Sequence, residues 1–298
     1  MILVTGGTGT VGRHVLEGIA AADMEVRAVV RDLEKARALD LPLVEFVTGD
    51  LAEPSGLGPA LAGVDRVVLI SAFSLDMARL QGNLVDAAAR SPERPRIVKL
   101  SGLGADPNGP ILMNRLHGET ERRIVDSGLP WTFIRPTLFM QNFLRMAESI
   151  RHKRSFSLPA GNAAIAQVDV RDIAAVILRV LVEGDHDGEI YELTGPEPLT
   201  FSDAAETLSA VAGGPITYRP VSPDEYKAQL LSFGLPEWMC DALNELYAQY
   251  RAGAGLRTTD VIRRLTHQAP HSFASFARDH AAVPDRFADL SRRLPVQT

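Results

Sequence analysis

Val4-Thr5-Gly6-Gly7-Thr8-Gly9-Thr10-Val11-Gly12 decides the fold. It follows a short apolar run, Ile2–Val4, and opens a stretch with apolar residues at helical spacing, Val11–Ala22. A strand, a glycine turn and a helix in that order form a phosphate-binding turn. Gly6 permits the tight reversal, Gly9 lets the backbone approach a pyrophosphate, and Gly12 lets the helix lie close on the strand. Thr8, Thr10 and Val11 complete the turn, where the unpaired N–H groups and the dipole of the helix favour an anion. The same letters would also suit a bare glycine turn. The strand before them and the matching second strand after them favour a dinucleotide.

Outward from that turn, apolar runs alternate with helical patterns through residue 135. Runs at Val26–Val30, Leu43–Val47, Arg66–Ile70, Ile97–Leu100 and Trp131–Ile134 read as buried strands. Leu33–Leu39, Leu75–Ala89 and Arg115–Ser127 read as helices. Apolar strands interleaved with amphipathic helices predict an α/β fold, a Rossmann-type doubly wound parallel sheet. Past Pro136 the pattern is less regular. Gly188–Leu193 and Ile216–Arg219 look like strands; Phe201–Val211 (with Thr200 as N-cap), Pro223–Phe233 and Pro236–Arg251 look like helices. The expected organisation is a dinucleotide-binding domain over residues 1–153, with strand contributions from 165–195, and a smaller mixed α/β substrate-binding part over 154–298.

Bulk properties narrow the function classes. Among 298 residues, 46% are hydrophobic, enough for a core, and no run of about 18 apolar residues suggests a membrane span. The net charge of −6 gives no electrostatic case for nucleic acid. Cys240 is the only cysteine, which excludes an intramolecular disulfide and suits a reducing compartment. The N-terminus carries no basic stretch followed by an apolar leader, so a cytoplasmic protein is expected. Arginine and alanine abundance points to a bacterial genome rich in G and C. The expected partner is a small molecule, and the expected assembly a monomer or homodimer.

The end of the second strand selects the cofactor. An NAD-binding fold places an acidic residue about 20 residues past the turn, against the ribose hydroxyls. Here that place reads Val30-Arg31-Asp32. The Arg31 guanidinium suits a 2′-phosphate, and Lys35 lies one helical turn further, so NADP(H) is expected. Asp32 opposes that reading unless it caps the helix starting near Leu33. Asp50 and Leu51, after the third strand, either border the adenine or form an ordinary turn.

These residues resemble the NmrA-like group of atypical short-chain dehydrogenase/reductases over essentially the whole chain. The resemblance rests on the glycine turn, on Val30 to Ala36, and on Gly49-Asp50-Leu51. It extends through His117-Gly118-Glu119-Thr120-Glu121, Ser127-Gly128-Leu129-Pro130-Trp131-Thr132 and Arg135 to Asn142. The pattern is similar to members that reduce triphenylmethane dyes, quinones and antibiotic-pathway ketones. The resemblance implies nicotinamide neighbours at Ser71, Ala72 and Phe73, at Ser101 and Gly102, and at Pro136, Thr137 and Phe139. His117 falls where several relatives carry a lysine that contacts the nicotinamide ribose.

Ordinary members of the superfamily deliver a proton from Tyr-x-x-x-Lys. Four residues beyond Tyr191, Tyr218, Tyr226, Tyr247 and Tyr250 stand Gly195, Ser222, Leu230, Arg251 and Ala254, so that motif is missing. Hydride addition to a simple ketone builds an alkoxide, whose conjugate acid is about as weak as water, pKa ~15.7. A quinone yields a phenolate-like anion of pKa ~10, and a cationic dye yields no anion. An NADPH-dependent reductase of a conjugated aromatic electrophile is therefore expected. Its proton would come from water, the substrate or His117, with Ser101 as a second catalytic candidate. Met113, Phe139, Met140, Phe233, Trp238 and Met239 are candidates to line an apolar substrate cavity, although each also suits a plain core position. The competing reading is a non-catalytic NADP(H)-binding redox sensor of the NmrA type. No metal is expected, because Pro270 breaks the helix that would align His267 and His271. Lys99 reads as a strand residue reaching out at an edge.

Overall fold

The computed structural model describes residues 1–281; the remainder of the expected 154–298 portion, 282–298, lies outside the described residues. By its internal contacts the chain divides into two compact units. The first comprises Met1–Pro136, Val170–Leu193 and Val261–Gln268.

Its seven strands are β1 (Ile2–Thr5), β2 (Val26–Val30), β3 (Val44–Thr48), β4 (Arg66–Leu69), β5 (Arg96–Leu100), β6 (Trp131–Pro136) and β9 (Glu189–Leu193). They form one sheet in the order β3-β2-β1-β4-β5-β6-β9. Every pairing is parallel. Parallel neighbours need crossovers, and helices supply them: α1 (Thr10–Ala21), α2 (Leu33–Arg37), α3 (Leu57–Ala60), α4 (Met77–Arg90) and α5 (Leu112–Asp126). A one-turn 3-10 helix, Pro54–Gly56, leads into α3. The doubly wound fold expected from the sequence is present.

One expected feature changes character. Val170–Glu183, inside the range expected to contribute strands, is a helix, α8. Its β-branched residues suggest a strand, but Val170, Ile173, Ala174, Ile177, Val180 and Leu181 are buried at helical spacing. α8 packs on α1, with Gly18 against the Leu178 side chain. Only β9 in that range joins the large sheet. α12 (Val261–Thr266) completes the unit beside α8.

The strand order reverses between β1 and β4, the position where open α/β sheets bind ligands. Thr5 closes this point. Its Oγ1 donates to the carbonyl oxygen of Ile70 at 2.6 Å and accepts from the Ile70 N–H at 2.9 Å.

The second unit holds Thr137–Asp169, Thr194–Asp260 and the described residues from Ala269. It contains β7 (Ser155–Leu158) paired in parallel with β11 (Thr217–Pro220), and β8 (Ala164–Ile165) paired antiparallel with β10 (Leu199–Thr200). Around these lie α6 (Asn142–Arg145), α7 (Ala147–Lys153), α9 (Phe201–Val211), α10 (Pro223–Ser232), α11 (Glu237–Arg251) and α13 (Phe273–Ala281). α9 starts where Thr200 and Asp203 form a reciprocal capping box. The core is aromatic: Phe143, Phe156, Phe201, Tyr218, Tyr247 and Phe273 meet in tilted and edge-on pairs. Residues 137–153, grouped with the first part on sequence pattern, send Leu138, Met140, Phe143 and Leu144 into this core.

Replacing Thr5 by Val keeps the shape but leaves the buried Ile70 N–H unpaired. The expected loss is about 1–3 kcal/mol of unfolding free energy, measured by urea denaturation as a lower midpoint at unchanged slope.

Candidate active site

Gly6 has φ +63°, and its carbonyl accepts from the Gly9 N–H at 2.9 Å. A Cβ on Gly12 would stand 2.2 Å from that same Gly6 oxygen, so only glycine lets α1 come this close to the turn. Gly9 caps α1 without a side chain, and no acidic residue occupies the first turn. Thr8, Gly9 and Thr10 are exposed; Val11 and Gly12 are buried. The first N–H groups of α1 thus face outward uncompensated, which fits a pyrophosphate.

At the end of β2, the Asp32 carboxylate accepts from the Lys35 backbone N–H at 3.0 Å and caps α2. That engagement resolves the ambiguity left by the sequence: Asp32 serves the helix. Arg31 and Lys35 are both exposed, and their side chains have no hydrogen-bond or ion-pair partner among the described residues. Asp50 accepts from Ala52 N–H at 2.8 Å, an ordinary Asx turn, and the Leu51 carbonyl accepts from Asn83 Nδ2 at 2.8 Å. After β4, Ser71 Oγ accepts from Gln81 Nε2 at 2.7 Å and donates to the Ala72 carbonyl at 3.2 Å. Ala72 is exposed and Phe73 partly so.

The carboxyl ends of β5 and β6 carry a polar cluster. Ile97 and Phe133, facing α4 and α5, are apolar; two residues on, at the same face, stand Lys99 and Arg135, followed by Ser101. Across from them α5 presents His117 and Glu121, four apart on one helix face. Glu121 is paired with Arg135 through both carboxylate oxygens, with Arg135 Nε to Oε1 at 3.0 Å. Ser101 Oγ donates to Glu121 Oε1 at 2.5 Å. The one hydroxyl proton of Ser101 is thereby committed, and the residue offers only acceptor capacity elsewhere. Lys99 Nζ lies 3.1 Å from His117 Nδ1 and 3.2 Å from the Leu100 carbonyl oxygen.

Lys99 is fully buried in a central strand, which corrects the expectation of an edge residue reaching outward. Its inward direction follows from its parity with Ile97. Burial pulls its ammonium down from 10.5 to about 7; Glu121 opposes and Arg135 assists that shift. His117 is held well below 6.5 by desolvation, then by Lys99 and Arg135, so it is neutral. As a whole residue, His117 is nonetheless only partly buried.

The other candidates fall in different places. Pro136 ends β6, its carbonyl accepting from Leu103 N–H at 3.0 Å. Thr137 is buried with its hydroxyl donating to the Ala166 carbonyl at 2.7 Å, and Phe139 bridges to Val168. Met113 is partly buried at the start of α5, in the first unit. Met140 is buried in the core of the second unit, where it borders a small pocket with Ile165, Gln167, Leu199 and Phe273. Phe233 is 72% exposed after α10, and Trp238 and Met239 are partly buried at the start of α11. Within the second unit, then, Met140 stands in the core while the other three sit around the α10–α11 turn.

The NmrA-like family matches residues 1–258. This chain belongs to the NmrA-like family. It is 38% identical to the NAD(P)H azoreductase of Xenophilus azovorans over 287 residues, 95% of this chain and 99% of that one. Among solved structures it is similar to the NADPH-dependent quinone oxidoreductase of Escherichia coli complexed with NADPH. The TM-score is 0.84 and the identity 29%, covering 94% of this chain and 99% of the other. The Citrobacter sp. triphenylmethane reductase complexed with NADP(H) gives 0.82 and 28%, covering 94% and 100%.

No tyrosine of this NmrA-like chain resembles an activated acid. Tyr218 donates to the Leu158 carbonyl at 3.0 Å; burial pushes Tyr226 up to about 12 and Tyr247 and Tyr250 higher still. Tyr191 pairs with His186 at 2.8 Å, and burial again raises its hydroxyl. The sequence reading missed Lys99, Glu121, Arg135 and Gln81. A charged residue at the inward parity of an apolar strand was the available signal for Lys99.

The depressed Lys99 ammonium has a consequence for stability. The unfolded chain holds this proton up to about 10.5, the folded one only to about 7. The charge penalty is complete below pH 7 and fades as pH rises toward the unfolded value. Lys99→Met should therefore be more stable than the parent chain at pH 6, and the difference in midpoint should shrink by pH 9 in urea titrations.

Proposed function

We propose that the substrate of this NADPH-dependent oxidoreductase is a conjugated aromatic electrophile: a quinone, a polycyclic aromatic ketone or a dye. The observation that carries the reading is the polar cluster at the carboxyl ends of β5 and β6. A neutral imidazole on a partly exposed residue, with no tyrosine in the cluster, at the carboxyl ends of the strands where such folds bind ligands, supports a substrate that needs little acid. The cofactor, when bound, supplies hydride. The protein's residues do the rest. The glycine turn and the α1 terminus hold the pyrophosphate, and the cations of Arg31 and Lys35 hold the 2′-phosphate. Ser71, positioned by Gln81, and Pro136 at the end of β6 shape the nicotinamide side.

A substrate that accepts hydride as a stabilised anion asks little of the acid. His117 is a neutral ring on this rim that can donate a hydrogen bond to the developing anion, while the proton itself can come from water or the substrate. Named relatives act on azo compounds, quinones and triphenylmethane dyes, all conjugated electrophiles, which supports the same class here. Those relatives also favour an enzyme over a sensor.

Two measurements test the reading. Removing Arg31 (Arg31→Ala) should raise the NADPH dissociation constant about 10- to 100-fold, since bonds to charged groups contribute about 1.5–3 kcal/mol. NADH binding should change little; equal losses for both would remove Arg31 from the 2′-phosphate. Monitoring NADPH oxidation across quinones, azo dyes, cationic dyes and simple aliphatic ketones should show turnover of the conjugated compounds. Efficient reduction of aliphatic ketones alone would sink the substrate class, and tight NADPH binding without turnover of anything would restore the sensor.

A further inference from the structure

The mechanism above leaves the buried Lys99 amine unused. Lys99 has no exposed surface, and among the described residues its ammonium has as hydrogen-bond partners the Leu100 carbonyl and His117 Nδ1. An ammonium has hydrogens to donate and nothing to accept with. Whenever Lys99 is charged, Nδ1 must therefore be the bare nitrogen of His117, and the ring hydrogen sits on Nε2. That edge of the ring lies beside Gly102, just past the end of β5, where a Cβ would meet Cδ2 at 3.2 Å and Nε2 at 3.5 Å. Nε2 has no hydrogen-bond partner among the described residues. The groups facing this pair from α5 and β6 are Glu121 and Arg135, and those two neutralise one another.

We propose that Lys99 is a positioning residue that fixes His117 as the Nε2–H tautomer and resupplies its proton through Nδ1. The inference rests, for its second half, on the reductase reading above. As the reduced substrate develops its anion, the Nε2–H bond of His117 breaks and an O–H or N–H bond forms on the substrate. In step, one Nζ–H bond of Lys99 breaks and an Nδ1–H bond forms. The ring ends neutral with its hydrogen on Nδ1, and Lys99 ends as an amine. Water then protonates Nε2, and the Nδ1 hydrogen returns to Lys99. Having no exposed surface, Lys99 exchanges protons with solvent by way of the imidazole. Reaction at an azo nitrogen, whose anion is more basic than a phenolate, gains most from such a supply. A cationic dye gains nothing, because hydride neutralises it.

The first test uses the ligand-free protein with 15N-labelled histidine. Long-range proton–nitrogen spectra from pH 5.5 to 9, with His117 assigned by its loss in His117→Asn, report which nitrogen carries the hydrogen. The expected result is Nε2–H at pH 6, with one inflection near 7 that follows Lys99 rather than ring protonation. Lys99→Met should abolish that inflection. A hydrogen on Nδ1 at pH 6, or an inflection that survives the substitution, overturns the proposal.

The second test compares NADPH-driven kcat on an azo dye with kcat on a cationic triarylmethane dye at pH 6.5. Lys99→Met should lower the azo-to-cation ratio at least tenfold. Lys99→Arg keeps a charged donor with no proton to release, so it should restore the tautomer but not the ratio. An unchanged ratio in Lys99→Met refutes the relay. If the parent chain reduces neither dye nor any quinone, the reductase reading falls and the relay with it, while the spectra still decide the tautomer.

Discussion

The contact between Gly12 and the Gly6 carbonyl sets the rest of the first unit. With a would-be Cβ 2.2 Å from that oxygen, α1 can leave the turn only by pressing its backbone on it. That fixes the direction of α1 along the sheet, and α1 in turn supplies the surface for α8. The side chains Val11, Val15, Leu16 and Ile19 are fully or nearly buried as a result. The uncapped N–H groups left at the start of α1 are the other side of the same constraint. A side-chain cap would stabilise the helix by about 1 kcal/mol, and its absence leaves an electropositive end for an anion.

Along β5 and β6 the same inward face changes its chemistry. Near the start of each strand it is apolar, Ile97 and Phe133, and it packs under α4 and α5. Toward the carboxyl ends it becomes Lys99, Ser101 and Arg135, met by His117 and Glu121 of α5. Burying a cation of this kind is costly unless it is hydrogen-bonded and balanced. Here the balance is unequal. Arg135 has the carboxylate, while Lys99 has only an imidazole and a carbonyl, which is why its proton is held loosely. A lysine placed merely to stabilise the strand would be poorly placed; one placed to exchange a proton would be placed in this way.

Much of this was legible from sequence, and the exceptions have physical causes. The turn, the first six strands and α9 with its capping box follow from local chemistry: glycines where a Cβ cannot fit, alternation of periods, a Thr–Asp pair. The capping role of Asp32, one of the two readings open from sequence, is likewise local. α8 was less legible because its many β-branched residues favour strands, and only the tertiary need to cover α1 and the sheet settles it as a helix. Met140 suits either a cavity or a core position from sequence alone; burial puts it in the core of the second unit, at the border of a small pocket.

The polar cluster was invisible for a different reason. Lys99, His117, Glu121 and Arg135 are spread over 37 positions and meet only because β5, α5 and β6 are consecutive and packed. A tyrosine and a lysine four residues apart are legible in a sequence because a helix brings such a pair to one face. The pair present here is assembled across elements instead: the histidine on the helix, the lysine on the strand beneath it. On the relay proposed above, a fold that keeps the dinucleotide turn fixed relocates its proton donor: the turn depends on backbone shape, whereas the donor needs only a partly exposed histidine and a buried group to govern its tautomer.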